Sequence, residues 1–441
     1  MTDVAGVERS DDAPPAAPPE EPTNKRLILA VCCIAQFLVI LDLSIVNVAL
    51  PTIQAALRIS AVDLQWVIDA YAIIFAGFLM LAGRASDLFG QRRVFALALL
   101  SFAAASLIGG LAPSSTVLIF ARGAQGLAGA GMAAASLAII TSTFAAGPER
   151  HRAIALWGAM NGAGGAAGTL MGGVLTDVLS WRWVLLINVP IGLVAVILAL
   201  RNVPEHRARR HAGFDLVGAL VLTAGLLIAT YGGVQAGSEG FGSAEALVPI
   251  AVGSLLITLF GQLEKRAKAP LIPPEALTPA LKKINVIVLL FSASLFAMWF
   301  AASLYLQQVL SLSPLETGLI FLPMALGIFI AARPAGKLVG RAGVRAVLGA
   351  GLLMLATGLV LLSRIGAGGS AIQYVMLPGF LIAAGIGFSV VSSTIAATIS
   401  AGPEQAGLTS SLVNTARQVG GGLGLAVLIS LATQRTSALI G

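Results

Sequence analysis

Asp42 lies inside Leu27–Pro51, LILAVCCIAQFLVILDLSIVNVALP, a run that is otherwise apolar. At ~1.5 Å per helical residue the run is long enough to cross a hydrocarbon layer of ~30 Å. A charged Asp at that depth costs about 2.5–3.5 kcal/mol on the milder insertion scale, so intramembrane acids tend to mark ion or substrate pathways. The chemistry expected of Asp42 is therefore uptake and release of a proton; the plain alternative is an acid tied down by a neighbouring helix. Two further ionisable groups fall in comparable runs. Arg122, in Arg122-Gly-Ala-Gln125-Gly126, either stands beside a titrating acid or snorkels to a membrane surface. Asp69, in Trp66-Val-Ile-Asp69-Ala-Tyr71, either faces outer water or lines a cavity. Asn47, Gln125, Asn161, Gln307, Gln308 and Asn414, with Trp299, are candidates to line a small-molecule cavity. Such polar groups otherwise bond between helices.

A second constellation is Gly83-Arg84-Ala-Ser-Asp87-Leu-Phe-Gly90-Gln-Arg92-Arg93 at the end of one apolar run. Gly83 is expected to permit close helix approach and Gly90 a tight turn. Asp87 can accept bonds from a basic side chain or a helix N-terminus. The stretch reads as a latch that gates one side of the protein, or as a basic turn that sets orientation. A third pattern is glycine at 164, 168 and 172, with Gly173 beside it. Residues four apart share a helix face, so this stripe predicts a groove for close helix packing. It is not a phosphate-binding loop, since no strand precedes it and no Lys follows.

These groups are set in a chain of 441 residues that is 57% hydrophobic and only 11% charged, with a mean hydropathy of +0.92. Soluble domains carry roughly 25% charged residues, so this is an integral membrane protein made of helices. The net charge of +7 then reflects basic loops rather than affinity for nucleic acid. Cys32 and Cys33, side by side in the first run, offer neither a disulfide framework nor a metal site. Neither a nucleophile–base pair nor a metal-ligand cluster is legible, so the sequence predicts no enzyme and no cofactor. Residues 1–24, rich in Ala, Pro and acids, read as a disordered tail.

Apolar segments fall at Leu27–Leu50, Leu64–Ala82, Val94–Leu111, Val117–Phe144, Ala153–Leu179, Trp183–Leu200, Leu216–Val234, Ala246–Leu263, Ile284–Leu310, Gly318–Ala332, Val344–Leu362, Val375–Ile399 and Gln405–Ala432, which is about 13 spans. With the N-terminus in the cytoplasm, the outer loops hold only Arg58, Arg182, Arg364 and Arg435. The inner loops hold nearly all other Lys and Arg, a strong positive-inside bias. Gly83–Arg92 is echoed by Gly336–Arg345, and Gly147-Pro148-Glu149 by Gly402-Pro403-Glu404, at nearly equal offsets. The chain is thus read as two repeated halves, 25–201 and 284–441, with two inserted spans in 202–283. On that repeat the second half holds five spans, and a counterpart of Trp183–Leu200 is expected to be missing.

The motifs Leu41-Asp42-Leu-Ser-Ile-Val-Asn47-Val-Ala-Leu-Pro51, Gly83–Arg93, Arg122…Gly126, Gly168-Thr169-Leu-Met-Gly172-Gly173 and Asn188-Val-Pro190-Ile-Gly192 together resemble the 14-span drug:proton antiporter branch of the major facilitator superfamily. The resemblance covers roughly Lys25–Ala432; Thr169 stands where that family usually has Pro, and the last span is absent. It implies two pseudo-repeated all-α bundles in the cytoplasmic membrane. It also implies proton-coupled efflux of small hydrophobic or amphipathic compounds such as drugs or antibiotics. Asp42, Arg122 and Asp69 would couple protons, and Gly83, Asp87, Gly90, Arg92 and Arg93 would latch the inner side. The proton gradient replaces any cofactor, the partners are a small-molecule substrate, protons and lipid, and the expected state is a monomer. A solute:proton symporter of the same fold and a non-transporting sensor or truncated paralogue remain as alternatives.

Overall fold

The computed structural model describes residues 24–440 apart from 146, 207–214, 268–269, 273–276, 365–369 and 402–405. The tail expected over residues 1–24 lies almost wholly outside them. The chain is a succession of long helices. The first half holds α1 (Lys25–Leu57), α2 (Ala61–Leu64), α3 (Trp66–Phe89), α4 (Gln91–Gly110), α5 (Ser115–Thr143), α6 (Pro148–Val178), α7 (Trp183–Leu186) and α8 (Asn188–Asn202). Two further helices, α9 (Leu216–Glu239) and α10 (Ala244–Arg266), precede α11 (Pro279–Leu304), α12 (Pro314–Ala342), α13 (Val344–Leu362), α14 (Leu377–Ala401) and α15 (Ala406–Ile440). Helices satisfy their own backbone bonds, which hydrocarbon cannot do.

Helix starts follow local chemistry. Asn24, Ser114, Asp215, Ser243, Thr278 and Ser313 each accept a first-turn N–H through their side chains, and Ser313 with Glu316 forms a reciprocal capping box. Pro148, Pro279 and Pro314 occupy first-turn positions, where a missing N–H is harmless.

Twelve helical segments among the described residues are both long and apolar enough to cross a membrane. The thirteenth span is α6. It runs 31 residues, its glycines lower its hydropathy, and it packs chiefly between α1 and α12. The sixth span is not one helix: it breaks between α7 and α8. Pro190 explains the break, since it has no N–H to give to the carbonyl of Leu186.

The repeat is visible in the packing. α1 lies on α6 as α11 lies on α15, α3 on α5 as α12 on α14, and α4 on α5 as α13 on α14. The two halves meet along two seams, α6 against α12 and α3 against α15. Gly90 (φ 104°) turns α3 into α4, and Gly343 (φ 82°) turns α12 into α13, so both copies of the repeat need a residue without a Cβ there. α8 packs on α4 and α1; among the described residues no helix takes the corresponding place on α13. The inserted α9 covers the α3–α15 seam, and α10 packs chiefly on α9, with Leu247, Val248 and Leu255 exposed.

Candidate functional site

α1 delivers Asp42 to the centre of the first half, where the residue is wholly buried. Arg122, on α5 and 1% exposed, donates from a terminal guanidinium nitrogen to Asp42 Oδ2. The other oxygen, Oδ1, accepts from Gln125 Nε2 at 3.0 Å and from Asn188 Nδ2 at 2.8 Å. Every partner donates, so the carboxyl group of Asp42 accepts from three side chains at once.

The surrounding groups hold the guanidinium in place. Arg122 Nε donates to Val67 O at 2.9 Å, the nitrogen facing Asp42 also reaches Gln125 Oε1 at 2.8 Å, and the guanidinium carbon lies 4.6 Å from the centre of the Tyr71 ring. Gln125 Nε2 donates a further bond to Ser106 Oγ at 2.7 Å. One ion pair thus ties together α1, α3, α4, α5 and α8. Removing either charge of a buried pair leaves the other stranded.

The neighbourhood accounts for how the helices come so close. Gly126 packs on the backbone of Tyr71, where a Cβ would meet Tyr71 Cα at 3.0 Å. The predicted stripe works the same way. Gly164, Gly168 and Gly172 rest on the α1 backbone at Phe37, Leu41 and Ile45, one helical turn apart, and so hold the stretch that carries Asp42. Gly173 instead faces α12, with a Cβ at 2.7 Å from Pro314 O, and joins the two halves.

Asp69 is also wholly buried, but neither carboxyl oxygen has a hydrogen-bond partner. It faces α15, where a Cβ on Gly422 would lie 3.4 Å from Oδ1. Of the two settings expected for it, outer water is therefore the wrong one. The half thus contains one buried acid with three donors and one with none.

The residues expected to line a cavity separate into three groups. Gln125 is buried inside the ion-pair network. Asn47, Gln307 and Gln308 stand where α1 meets α11: Ser303 Oγ donates to Asn47 O at 2.7 Å, Gln307 Nε2 to Val48 O at 2.8 Å and Gln308 Nε2 to Gln54 Oε1 at 2.7 Å. These hydrogen bonds join the two halves directly, and all lie near the C-terminal ends of α1 and α11. The α11 partners sit at and beside a π-helical turn, Tyr305–Val309; such turns often mark functional positions. In the third group, Asn161, Trp299 and Asn414 remain half-buried. Asn161 accepts from Gln36 Nε2 at 3.0 Å, and Trp299 stacks edge-on to Phe321 at 4.6 Å.

The latch stretch departs from expectation in two ways. A Cβ on Gly83 would meet nothing within 4 Å, so Gly83 is not a close-approach glycine; helix α3 passes it into open space. Arg92 and Arg93 both reach Glu205, at 3.7 and 3.6 Å, in the segment that links the first half to the inserted helices, not in the second half. Asp87 is half-buried; the helix start at Pro403, which could offer it an N-terminus, lies outside the described residues. Arg84 donates to Pro270 O at 3.4 Å, tying the end of α3 to the segment that follows α10.

Comparison with known proteins bears on this arrangement. The family model of the major facilitator superfamily matches residues 32–425. The chain belongs to that superfamily. It is 38% identical over 417 residues to the puromycin resistance protein pur8 of Streptomyces alboniger, covering 93% of this chain and 82% of that one. It is 40% identical over 416 residues to the cephamycin export protein CmcT of Amycolatopsis lactamdurans, covering 93% and 85%. Among solved structures it resembles the human organic anion transporter MFSD10, with a TM-score of 0.61 at 17% identity over 94% of this chain and 95% of that one. It also resembles a bacterial homologue of the lysosomal transporter Spinster in an inward-facing, occupied conformation, with a TM-score of 0.63 at 16% identity over 94% and 83%. As a member of this superfamily the protein is a multi-pass membrane transporter of a small molecule. Ser106 and Asn188, which bear on the acid, were not singled out as site residues from sequence; Asn188 stood only in a motif that carries the family resemblance, and nothing in the local pattern of Ser106 marks it.

Proposed function

We propose that this protein expels small amphipathic compounds across the cytoplasmic membrane in exchange for protons. The observation that carries the reading is the pair of buried acids in the first half. Asp42 is locked to Arg122, and Asp69 lies without a donor on the seam against α15. Protonation of Asp69 makes it neutral and compatible with a closed seam; loss of that proton places a bare charge there and favours parting of α3 from α15. The Asp42–Arg122 pair fixes the shape of the half that moves. The hydrogen bonds between α1 and α11 support reading this state as closed outside, so that substrate enters from the cytoplasm.

The names of the relatives favour export: the two quoted above are described as resistance and export proteins. Halves at 25–201 and 284–441 rock about a midplane site, the insert between them rides on the seam, and the N-terminus is cytoplasmic by its basic flanks. The protein acts as a monomer, and the proton gradient is its energy source. The test uses inverted membrane vesicles with an imposed pH gradient, acid inside. Uphill uptake of a dye into these vesicles, lost in Asp69→Asn, supports export by exchange. Uphill movement only with the opposite gradient supports a symporter instead.

A further inference from the structure

α15 carries a positive charge, Arg417, near the start of its apolar stretch Leu412–Ala432, and among the described residues no acid of its own half answers it. Arg417 is half-buried, and its described hydrogen bond is to the side-chain oxygen of Asn414. Neither Asp nor Glu occurs on α11, α13, α14 or α15, and α12 has only Glu316, exposed in its outer cap. The first half treats its buried guanidinium differently, giving Arg122 the carboxylate of Asp42. A guanidinium has five donors, and Asn414 occupies one.

The repeat shows what stands opposite. Gly164 and Gly168 rest on Phe37 and Leu41 of α1; Gly420 and Gly424 rest on Leu289 and Ala293 of α11. Carrying that register down both helix pairs, Arg417 corresponds to Asn161 and Val288 to Gln36. In the first half Gln36 holds Asn161 by a 3.0 Å bond, with Gln36 Oε1 left unsatisfied. In the second half an apolar valine stands where that partner would be, so the cation is left open.

Asp69 does not serve as the missing anion in this state. It meets α15 at Gly422, five residues or ~7.5 Å further toward the outer end. Side chains on a helix lean toward its N-terminus, so Arg417 points away from Asp69 and toward Asn414. The amides at the matching depth of the first half, Gln36 and Asn161, bring no charge.

We propose that Arg417, with Asn414 and the neighbouring Gln418, binds the carboxylate of the transported molecule, and that this transporter selects organic acids with an apolar body. The inference rests on the export reading, since it assigns the substrate class of that same path. A carboxylate in the planar fork of a guanidinium makes paired charge-assisted bonds, which an ester or amide cannot replace.

The test uses the purified full chain in detergent, with 1-pyrenebutyrate and its methyl ester as probes and energy transfer from the protein's tryptophans as the signal. The expected result is that the wild type binds the acid at least ~10-fold more tightly than the ester. Arg417→Gln removes that preference while keeping the wild-type thermal unfolding temperature, which shows the variant to be folded; Arg417→Lys keeps part of the preference. Equal binding of acid and ester by the wild type, binding of neither, or an acid preference that survives Arg417→Gln would overturn the assignment. Export is read separately, as pH-gradient-driven movement of 1-pyrenebutyrate in vesicles that hold the protein beyond that in vesicles without it. Its absence alongside an intact acid preference removes the transport reading and leaves the anion site standing.

Discussion

Two carboxyls on neighbouring helices of one half meet opposite treatment, and the difference sorts their roles. Asp42 has an arginine and two amides; Asp69 has no donor at all. Asp69→Asn should therefore leave the protein folded, since an amide is at least as tolerable as a bare acid in that pocket, while abolishing pH-gradient-driven transport. Counterflow without a gradient should persist, and a variant that still drives uphill export would remove Asp69 from the coupling. Arg122→Gln acts on the other acid. It strands a buried carboxylate, a loss of about 3–5 kcal/mol, and should lower the thermal unfolding temperature and the yield of folded protein. Asp42→Asn combined with Arg122→Gln should recover much of that stability without recovering transport. If the double variant unfolds as early as Arg122→Gln, the stranded charge is not the cause. Asp42 and Arg122 were legible as a site because charge in an apolar run is costly and must be accounted for. Tyr71, Ser106 and Asn188 were not, because aromatic and small polar residues are unremarkable in any helix until the fold brings them to the charge.

At the scale of elements, glycine spacing was the most readable feature, but not every glycine means the same thing. The stripe Gly164, Gly168, Gly172 lies on the α1 backbone, and a Cβ at Gly168 would come within 2.6 Å of Ser44 Cβ and 2.9 Å of Leu41 O. Gly168→Val should force α6 from α1, tilt the helix that carries Asp42, and cost about 1–3 kcal/mol by overpacking. Gly83 has the same local look in sequence and none of that burden. Gly83→Ala should be neutral or stabilising by up to ~1 kcal/mol, because alanine favours helix and meets nothing. Thermal denaturation of the two variants in detergent separates them, and equal destabilisation would refute the distinction. The low hydropathy of α6 follows from the same glycines: it is shielded by α1 and α12, so it need not be apolar enough for lipid. Span counting by hydropathy alone undervalues such a helix, whereas the break of the sixth span was foreshadowed only by Pro190.

For the whole molecule, the question is which side is shut and what keeps it so. The two halves are joined near the C-terminal ends of α1 and α11, which the proposed topology places outside, by three side-chain hydrogen bonds, by Gly173 on Pro314 and by Gly318 on Thr169. Residues expected to touch substrate thus act between halves: Gln307 and Gln308 follow one another on a π-helical turn, which widens the helix enough to aim both at α1. Neutral hydrogen bonds contribute about 0.5–1.5 kcal/mol each, so removing both glutamines withdraws about 1–3 kcal/mol from the closed outer state. If two states interconvert with a small gap, a change of that size moves their ratio by roughly 5- to 150-fold. Gln307→Ala with Gln308→Ala should therefore populate an outward-open state while leaving the Asp42 network untouched. Val48 is wholly buried and packs in the core of the second half, so Val48→Cys reports on that opening. In a background with Cys32 and Cys33 replaced by Ser, a membrane-impermeant maleimide added outside should label Val48→Cys much faster when both glutamines are removed. Labelling at an unchanged rate would mean that the glycine contacts at Gly173 and Gly318 hold the outer end shut without help from the polar bonds.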